Sequence, residues 1–94
     1  MPLICRAVHE HRLISFVYDG HMRVVEPHCH GRGATNKEFV RGYQVAGNSG
    51  SGKLGWKLFD MDSVFELEIR DEHFEPRAGF QRQDASMHPV HCSV

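Results

Sequence analysis

The spacing of apolar residues changes once along the chain, from a helical period to an alternating one. Pro2 precedes LICRAVHEHR, whose apolar residues fall on one helical stripe: Leu3, Ile4, Ala7 and Val8. Proline fits the first turn of a helix, because the N–H that it lacks would have no partner there. From LISFVYDG onward apolar and polar residues alternate, as in half-buried strands. The pattern predicts one N-terminal helix followed by β structure.

Five strand-like segments follow one another with short turns between them: LISFVYDG, HMRVVEPHCHGRG, KEFVRGYQVAG, GWKLFDM and FELEIRD. The Asp19-Gly20 dipeptide predicts a tight hairpin turn. Pro27 cannot donate a hydrogen bond to a neighbouring strand, so it predicts an edge or a bulge. In the last segment the residues that alternate onto one apolar face are Phe65, Leu67 and Ile69. Short strands joined by tight turns predict a small antiparallel barrel, with residues 74–94 as an irregular extension.

The loop between the third and fourth segments has part of the spacing of a phosphate-binding P-loop. Gly47, Gly52 and Lys53 match G-x-x-x-x-G-K, but Leu54 stands where a Ser or Thr would hold magnesium. The residues that follow are of strand type, whereas a P-loop opens a helix. We therefore interpret this segment as a loop that joins two antiparallel strands.

Composition narrows the class of protein further. A chain of 94 residues is expected to form one domain with one modest core. No apolar run reaches the ~20 residues of a membrane span, and no signal-peptide pattern is visible, so no membrane partner and a cytoplasmic location are expected. The three cysteines are an odd number without paired spacing, which predicts reduced thiols. No nucleophile-elbow motif is present, and we expect a non-enzyme.

Histidine and cysteine residues form two dense groups, HCH and HPVHC. Imidazole and thiolate are the preferred ligands of zinc, and the two groups together could complete a tetrahedral site. The candidate ligands are His28, His30, His88, His91 and Cys92. Neither group has the spacing of a known zinc motif, so scattered surface histidines are the alternative, and no cofactor is the first expectation.

Polar side chains within the predicted strands suggest a different site. Arg41 alternates with Phe39 and Tyr43 on one strand face, and a cation among aromatic rings can bind phosphate or stack on a base. The two halves of the chain also differ in net charge: residues 1–45 have six Lys/Arg against four Asp/Glu, and residues 46–94 have five against eight, seven of which lie between Asp60 and Glu75. A polyanion would therefore meet the first half.

The order of these segments resembles the WYL domain family. The resemblance covers about residues 3 to 70 and rests on RLISFVYDG, RVVEPH, FVRGYQV and GWKLFDMDSV, with R-x-V-E-P as its most specific part. It implies an SH3/Sm-like barrel over residues 1–73, of a kind usually attached to helix-turn-helix domains in bacterial transcription regulators. Residues 74–94 resemble the ending of small stand-alone bacterial proteins of this type, and could pack on the barrel or be swapped from it.

The family resemblance also implies a function and a ligand surface. Members are thought to sense nucleotides or nucleic acid through polar and basic residues on one side of the barrel. In this chain Lys57, Asp60 and Ser63 stand where a typical member has arginines. The expected ligand-binding residues here are Tyr18, Arg23, Glu26, His28, Arg41, Tyr43 and Lys57.

The sequence therefore predicts a non-catalytic sensing module for a nucleotide or a short nucleic acid, acting in bacterial regulation. One alternative is a self-associating homodimer that uses an exposed edge at Pro27 or the C-terminal extension. The other alternative is a small domain stabilised by zinc.

Overall fold

The computed structural model describes residues 3–33, 35–47, 52–80 and 89–94. Its elements in chain order are α1 (Leu3–Glu10), β1 (Arg12–Tyr18), β2 (His21–Arg32), β3 (Glu38–Gly47), β4 (Gly55–Asp60), a 3₁₀ turn (Met61–Ser63), β5 (Phe65–His73) and β6 (Val90–Ser93). The prediction of a mainly β fold with an N-terminal helix is confirmed. The extension is not wholly irregular, since it contributes the strand β6, which the sequence pattern did not indicate.

The strands form one antiparallel sheet in the order β4-β3-β2-β1-β5, with β6 also paired to β2. On one edge β2 pairs with β3 over most of its length. On its other edge β2 pairs first with β1 and then, beyond Pro27, with β6. In the described residues β4 and β5 are the outer strands, so closure of the sheet into a barrel stays a prediction. The strand β2 thus pairs with three other strands, β1, β3 and β6.

The helix α1 ends where the chain enters the left-handed region. His11 has a φ of 54°, and its N–H donates to the Val8 carbonyl oxygen at 3.3 Å. On the buried side of the helix lie Ile4, Cys5, Ala7 and Val8. The predicted stripe is therefore correct except for Leu3, which is exposed. None of the helices in the described residues has the length and hydropathy needed to span a membrane.

The predicted hairpin after β1 is confirmed by its backbone. Asp19 and Gly20 have φ values of 51° and 75°, and Tyr18 lies opposite His21. Two successive residues with positive φ are characteristic of the type I′ turn, whose twist matches that of the flanking strands. The turn aligns β1 with β2 so that Ile14 faces Val25 across the two strands.

Pro27 lies at a bulge and not at an exposed edge. It is fully buried and pairs with Gly42 on β3, while the next aligned pair is Cys29 with Arg41. His28 is therefore an extra residue on β2, with no residue opposite it. The bulge that the proline predicted is present. The prediction of an exposed edge at Pro27 was wrong, because β2 pairs with β3 on one side and with β1 and β6 on the other.

A second irregularity changes the face of β5 that the sequence predicted. Leu67 and Ile69 pack against the core, as expected, but Phe65 is 62% exposed. Glu66 has a φ of 56°, and the pairing with β1 skips a residue at this point. Because a bulge shifts the alternation of side chains by one position, Phe65 turns away from the face of Leu67.

Candidate functional site

The strand register divides the predicted ligand residues between two faces of the sheet. Tyr43 lies opposite Glu26 on β2 and Trp56 on β4, so these side chains share one face. Lys57 lies opposite Gly42, one position away from the pair of Tyr43 and Trp56. Because successive side chains on a strand point to opposite faces, Lys57 is on the other side of the sheet from Tyr43. Arg41 is two positions from Tyr43 and shares its face.

Arg23 is an interior residue. It is 4% exposed and donates to the Gln44 side-chain oxygen at 3.4 Å and to the Tyr18 carbonyl oxygen at 3.2 Å. Its guanidinium also lies 5.2 Å from the centre of the Tyr18 ring, and its Nε has no hydrogen-bond partner among the described residues. The sequence predicted a surface contact to a ligand, and the structure instead gives Arg23 partners within the fold.

Tyr18 joins the ends of two strands. Its ring packs edge-on against Phe16 and Phe59, with the Phe59 centre 5.1 Å away. Its hydroxyl oxygen accepts a hydrogen bond from the Asp60 N–H at 3.2 Å. These contacts give Tyr18 a packing role at the end of β1 and β4.

His28 fixes the C-terminal extension to the sheet. Its Nδ1 donates to the Glu26 carbonyl oxygen at 2.9 Å, and its Nε2 accepts from the Arg77 N–H at 3.1 Å. Its ring is surrounded by Trp56, Phe74 and Phe80, with centre separations of 4.7, 5.1 and 5.2 Å. Both nitrogens thus have partners that suit a neutral imidazole. Burial lowers the pKa of His28, which agrees with the neutral form.

Four side chains on the outer side of the sheet form a continuous surface, here called the aromatic face: Tyr43, Trp56, Arg77 and Phe80. The Arg77 guanidinium carbon lies 3.6 Å from the centre of the Tyr43 ring. Tyr43 packs edge-on against Trp56 at 5.4 Å, and Trp56 is stacked with Phe80 at 6.0 Å. Trp56 remains 37% exposed. The surface therefore presents a partly open indole beside a guanidinium plane.

The Glu26 carboxylate holds one member of the aromatic face, Arg77, in place. Its carboxylate accepts from Arg77 Nε at 2.7 Å and from Arg77 Nη2 at 3.4 Å. The hydrogen bond with Glu26 raises the pKa of Arg77 and holds its plane across the Tyr43 ring. Of the predicted ligand residues, the structure brings Glu26, Arg41 and Tyr43 to this face, and the His28 ring packs against its members Trp56 and Phe80. The sequence prediction missed Trp56, Arg77 and Phe80, although pairing Trp56 opposite Tyr43 would have indicated the first of them.

A second group of side chains lies where α1 and β6 meet β2. Cys5 and Cys92 form a disulfide, although they are 87 positions apart. The prediction that these thiols are reduced was wrong for this pair, because the helix and the last strand both pack against β2 and bring the two sulfurs together. His30 lies opposite Cys92 on β2, and the ligand atoms of Cys5, His30 and Cys92 are all within 4.8 Å of one another. We call these three residues the cysteine–histidine cluster.

The candidate metal ligands are only partly brought together in the described residues. His30, His91 and Cys92 are neighbours, with the two imidazole centres 5.2 Å apart. His28 instead packs against Trp56 and Phe80 of the aromatic face, and His88 lies outside the described residues. Cys5 was not among the predicted ligands. The signal that could have indicated it is its place on the apolar side of a helix that must cover the sheet.

The carboxylate of Glu38 borders the cluster. Its Oε1 is 3.1 Å from His30 Nε2 and 2.9 Å from His91 Nε2, and its Oε2 is 3.3 Å from Arg32 Nε. His30 is 5% exposed, and burial lowers its pKa. The His30 imidazole is therefore held between a carboxylate on one side and sulfur on the other.

Comparison with models of known protein families, with curated proteins and with solved structures gives no match to this chain. Membership of the WYL family therefore stays a prediction from the quoted segments.

Proposed function

We propose that this chain is a non-catalytic binding module whose aromatic face holds a nucleotide or a short single strand of nucleic acid, in the service of bacterial regulation. The observation that carries the proposal is the Arg77 guanidinium stacked on Tyr43 beside the partly exposed ring of Trp56. Indole rings and guanidinium planes are the surfaces on which nucleobases stack, whatever their sequence.

Charge at the edge of the aromatic face supports a phosphate contact. Arg41 is two positions from Tyr43 on the same side of β3 and is half-buried. The side chain of Arg77 is 39% exposed, so its outer edge can still meet a ligand although Glu26 engages the other edge. A guanidinium can donate two parallel N–H hydrogen bonds to phosphate oxygens, which suits a backbone phosphate next to a stacked base.

The binding proposal is tested by the fluorescence of Trp56, which is the one tryptophan in the chain. We expect saturable quenching of its emission when the protein is titrated with mononucleotides or with a short single-stranded oligonucleotide, because a stacked base contacts the indole directly. Quenching by both ligands would indicate a nucleotide pocket, and quenching by the oligonucleotide alone would indicate a strand-binding surface. No quenching by either would contradict the proposal.

A charge variant separates the phosphate contact from general electrostatics. Arg41→Gln is expected to weaken oligonucleotide binding and to reduce the slope of log affinity against log salt by about 1, because one phosphate contact is lost. Arg6→Gln is the matched control, since Arg6 has the same charge and lies on the exposed side of α1. Equal effects of the two variants would show that net charge, not the aromatic face, governs binding.

An exposed apolar row favours self-association as a second candidate function. Val17 on β1 lies opposite both Met22 on β2 and Phe65 on β5, so the three side chains share one side of the sheet. Met22 is 53% exposed and Phe65 is 62% exposed. Contiguous apolar surface of this kind is commonly covered by a protein partner.

Self-association through this row predicts a dimer that is insensitive to salt. Phe65→Glu is expected to convert it to a monomer in sedimentation equilibrium, because a charge would be buried in the interface. Leu54→Glu is the control, since Leu54 is equally exposed but lies outside the row. A wild-type monomer at all concentrations, or dissociation by Leu54→Glu as well, would contradict this function.

A further inference from the structure

We propose that the cysteine–histidine cluster is a redox-linked zinc site, in which Cys5, Cys92 and His30 bind Zn²⁺ when the cysteines are reduced and release it when the disulfide forms. The site lies apart from the aromatic face and does not depend on the function proposed for that face. Its three ligand groups come from α1, β2 and β6, so the metal would tie both ends of the chain to the central strand.

The orientation of His30 is the first argument. Its Nε2 is 3.1 Å from a carboxylate oxygen of Glu38, which accepts hydrogen bonds and donates none. Nε2 therefore carries a proton, and Nδ1 is the ring nitrogen whose lone pair can bind a metal. That lone pair points to Cys5 Sγ at 3.6 Å. A disulfide sulfur has no proton to donate, so Cys5 Sγ cannot form a hydrogen bond with Nδ1 in the oxidised protein.

A metal ion would satisfy Nδ1 and both sulfurs at once. Histidines that bind zinc commonly donate their other N–H to a carboxylate, which fixes the ring and strengthens the ligand, and Glu38 occupies that position. Zinc lies about 2.3 Å from sulfur and about 2.1 Å from nitrogen, so two such ligands at a tetrahedral angle are about 3.6 Å apart. The Nδ1–Sγ separation of 3.6 Å agrees with that distance.

The burial of the cluster is the second argument. Cys5, His30 and Cys92 are 3%, 5% and 7% exposed. Two thiolates next to each other in a buried position repel and are poorly solvated, and a divalent cation removes both penalties. Three protein ligands leave a fourth position for water, as in zinc sites that are not closed by protein alone.

The exchange between the two states is a two-electron oxidation. A hydroperoxide is a suitable oxidant: one thiolate attacks its outer oxygen, the O–O bond breaks and an alcohol leaves after taking a proton. The second thiolate then displaces hydroxide from the sulfenic acid, which forms the S–S bond and a water molecule after a second proton. The zinc ion leaves because disulfide sulfur is no longer a thiolate ligand.

Cobalt(II) and zinc titrations of the reduced, metal-free chain test the site. We expect one equivalent of cobalt to give a thiolate-to-cobalt charge-transfer band and intense tetrahedral d–d bands, both abolished when zinc displaces it. His30→Gln is the sharpest variant because it keeps both cysteines and therefore the oxidised fold. It should weaken zinc affinity by at least ~100-fold, and Glu38→Gln by ~10-fold.

Matched controls identify the ligands. Cys29→Ala, which removes the cysteine outside the disulfide, and His9→Gln, which removes an exposed histidine of α1, should leave the zinc affinity within about 2-fold of wild type. If the reduced wild type binds zinc no more tightly than the Cys5→Ser/Cys92→Ser variant, or if His30→Gln binds as tightly as wild type, the site is a disulfide only and the proposal is overturned.

The link between disulfide formation and zinc release is tested by measuring both in the same sample. Addition of a hydroperoxide to the zinc-loaded protein should release about one zinc ion, followed with a chromophoric indicator, for every two thiols lost. Thiol loss without zinc release would overturn the link between the two states.

Discussion

Cys92→Ser, assayed under oxidising conditions in the presence of a chelator, is expected to lower the free energy of unfolding by about 4 kcal/mol. The reason is the length of the loop that the disulfide closes: Cys5 and Cys92 are 87 positions apart. A cross-link between distant residues restricts the unfolded chain strongly, and the effect grows with loop length. For a domain of this size the loss corresponds to a fall in Tm of roughly 20 °C. Urea denaturation followed by circular dichroism measures it.

Two comparisons show whether the disulfide itself is responsible. Reduction of the wild-type chain, again without metal, should bring its stability close to that of Cys92→Ser. Cys29→Ala should cost only about 1 kcal/mol, because Cys29 is buried but takes no part in the disulfide. A Cys92→Ser variant as stable as the oxidised wild type would contradict the cross-link.

Zinc offers a second way to restore the stability of the reduced chain. A ligand that binds only the folded state adds about 2.7 kcal/mol when its free concentration is 100 times its Kd. The reduced wild type should therefore regain most of the lost stability when zinc is added, whereas reduced His30→Gln should not. The same variant in the oxidised state would keep the disulfide, which shows that its failure with zinc is not a failure to fold.

His28→Ala is expected to lower the free energy of unfolding by about 3 kcal/mol. The substitution removes ring contacts with Trp56, Phe74 and Phe80, and it leaves the Arg77 N–H and the Glu26 carbonyl without their partner. The loss of a large buried ring and the loss of buried hydrogen bonds each lower the free energy of unfolding by about 1–3 kcal/mol. Amide hydrogen exchange at Arg77 should accelerate, since that N–H donates to His28 in the wild type.

His73→Gln is the control for His28→Ala, because His73 is exposed at the end of β5 and should change stability by less than about 0.5 kcal/mol. If His28→Ala leaves hydrogen exchange at Arg77 unchanged, the histidine does not hold the extension. If it unfolds the whole chain, His28→Gln, which keeps hydrogen-bonding groups, allows the same exchange measurement.

The pH dependence of stability follows from the same contacts. Desolvation lowers the pKa of His28 below its ordinary value of 6.5. The hydrogen bond and charge of Glu26 act to raise this pKa, and the charges of Arg77 and His11 act to lower it further. The unfolded chain therefore binds a proton more readily than the folded chain. The contribution of His28 is fully present above pH ~6.5 and is lost as the pH falls through that value toward the folded pKa. The slope of stability against pH between 7 and 5 should be shallower in His28→Ala, although His30 contributes a slope of the same sign.

The helix and the order of the first five strands could be predicted because they depend on local periodicity. The positions of His28 and Glu66 could not, since a bulge leaves the composition of a strand unchanged while it turns the side chains beyond it to the other face. The expectation that His28 and His30 share one face of a strand was wrong for this reason. His28 is the bulged residue, so its ring enters the aromatic face while His30 contacts Cys5.

The candidate sites depend on contacts between distant segments, and their prediction was correspondingly incomplete. Arg77 reaches Glu26 and Tyr43 across about 50 and 34 positions of the chain, and no local pattern encodes that approach. The strand β6 has only four residues, VHCS, too few for a reliable alternation. Without β6 the pairing of Cys5 with Cys92 cannot be inferred, so the cysteines were predicted to be reduced.

The position of β6 also affects the order in which a newly made chain acquires its structure. The other five strands of the described residues precede it, and its partner residues on β2, from Cys29 to Gly31, are synthesised about 60 residues earlier. Until β6 arrives, this stretch of β2 keeps an open edge that other chains can pair with during synthesis. Docking of the last strand closes that edge. A chain that ends before Val90 would therefore be prone to aggregation, although it contains most of the described core residues.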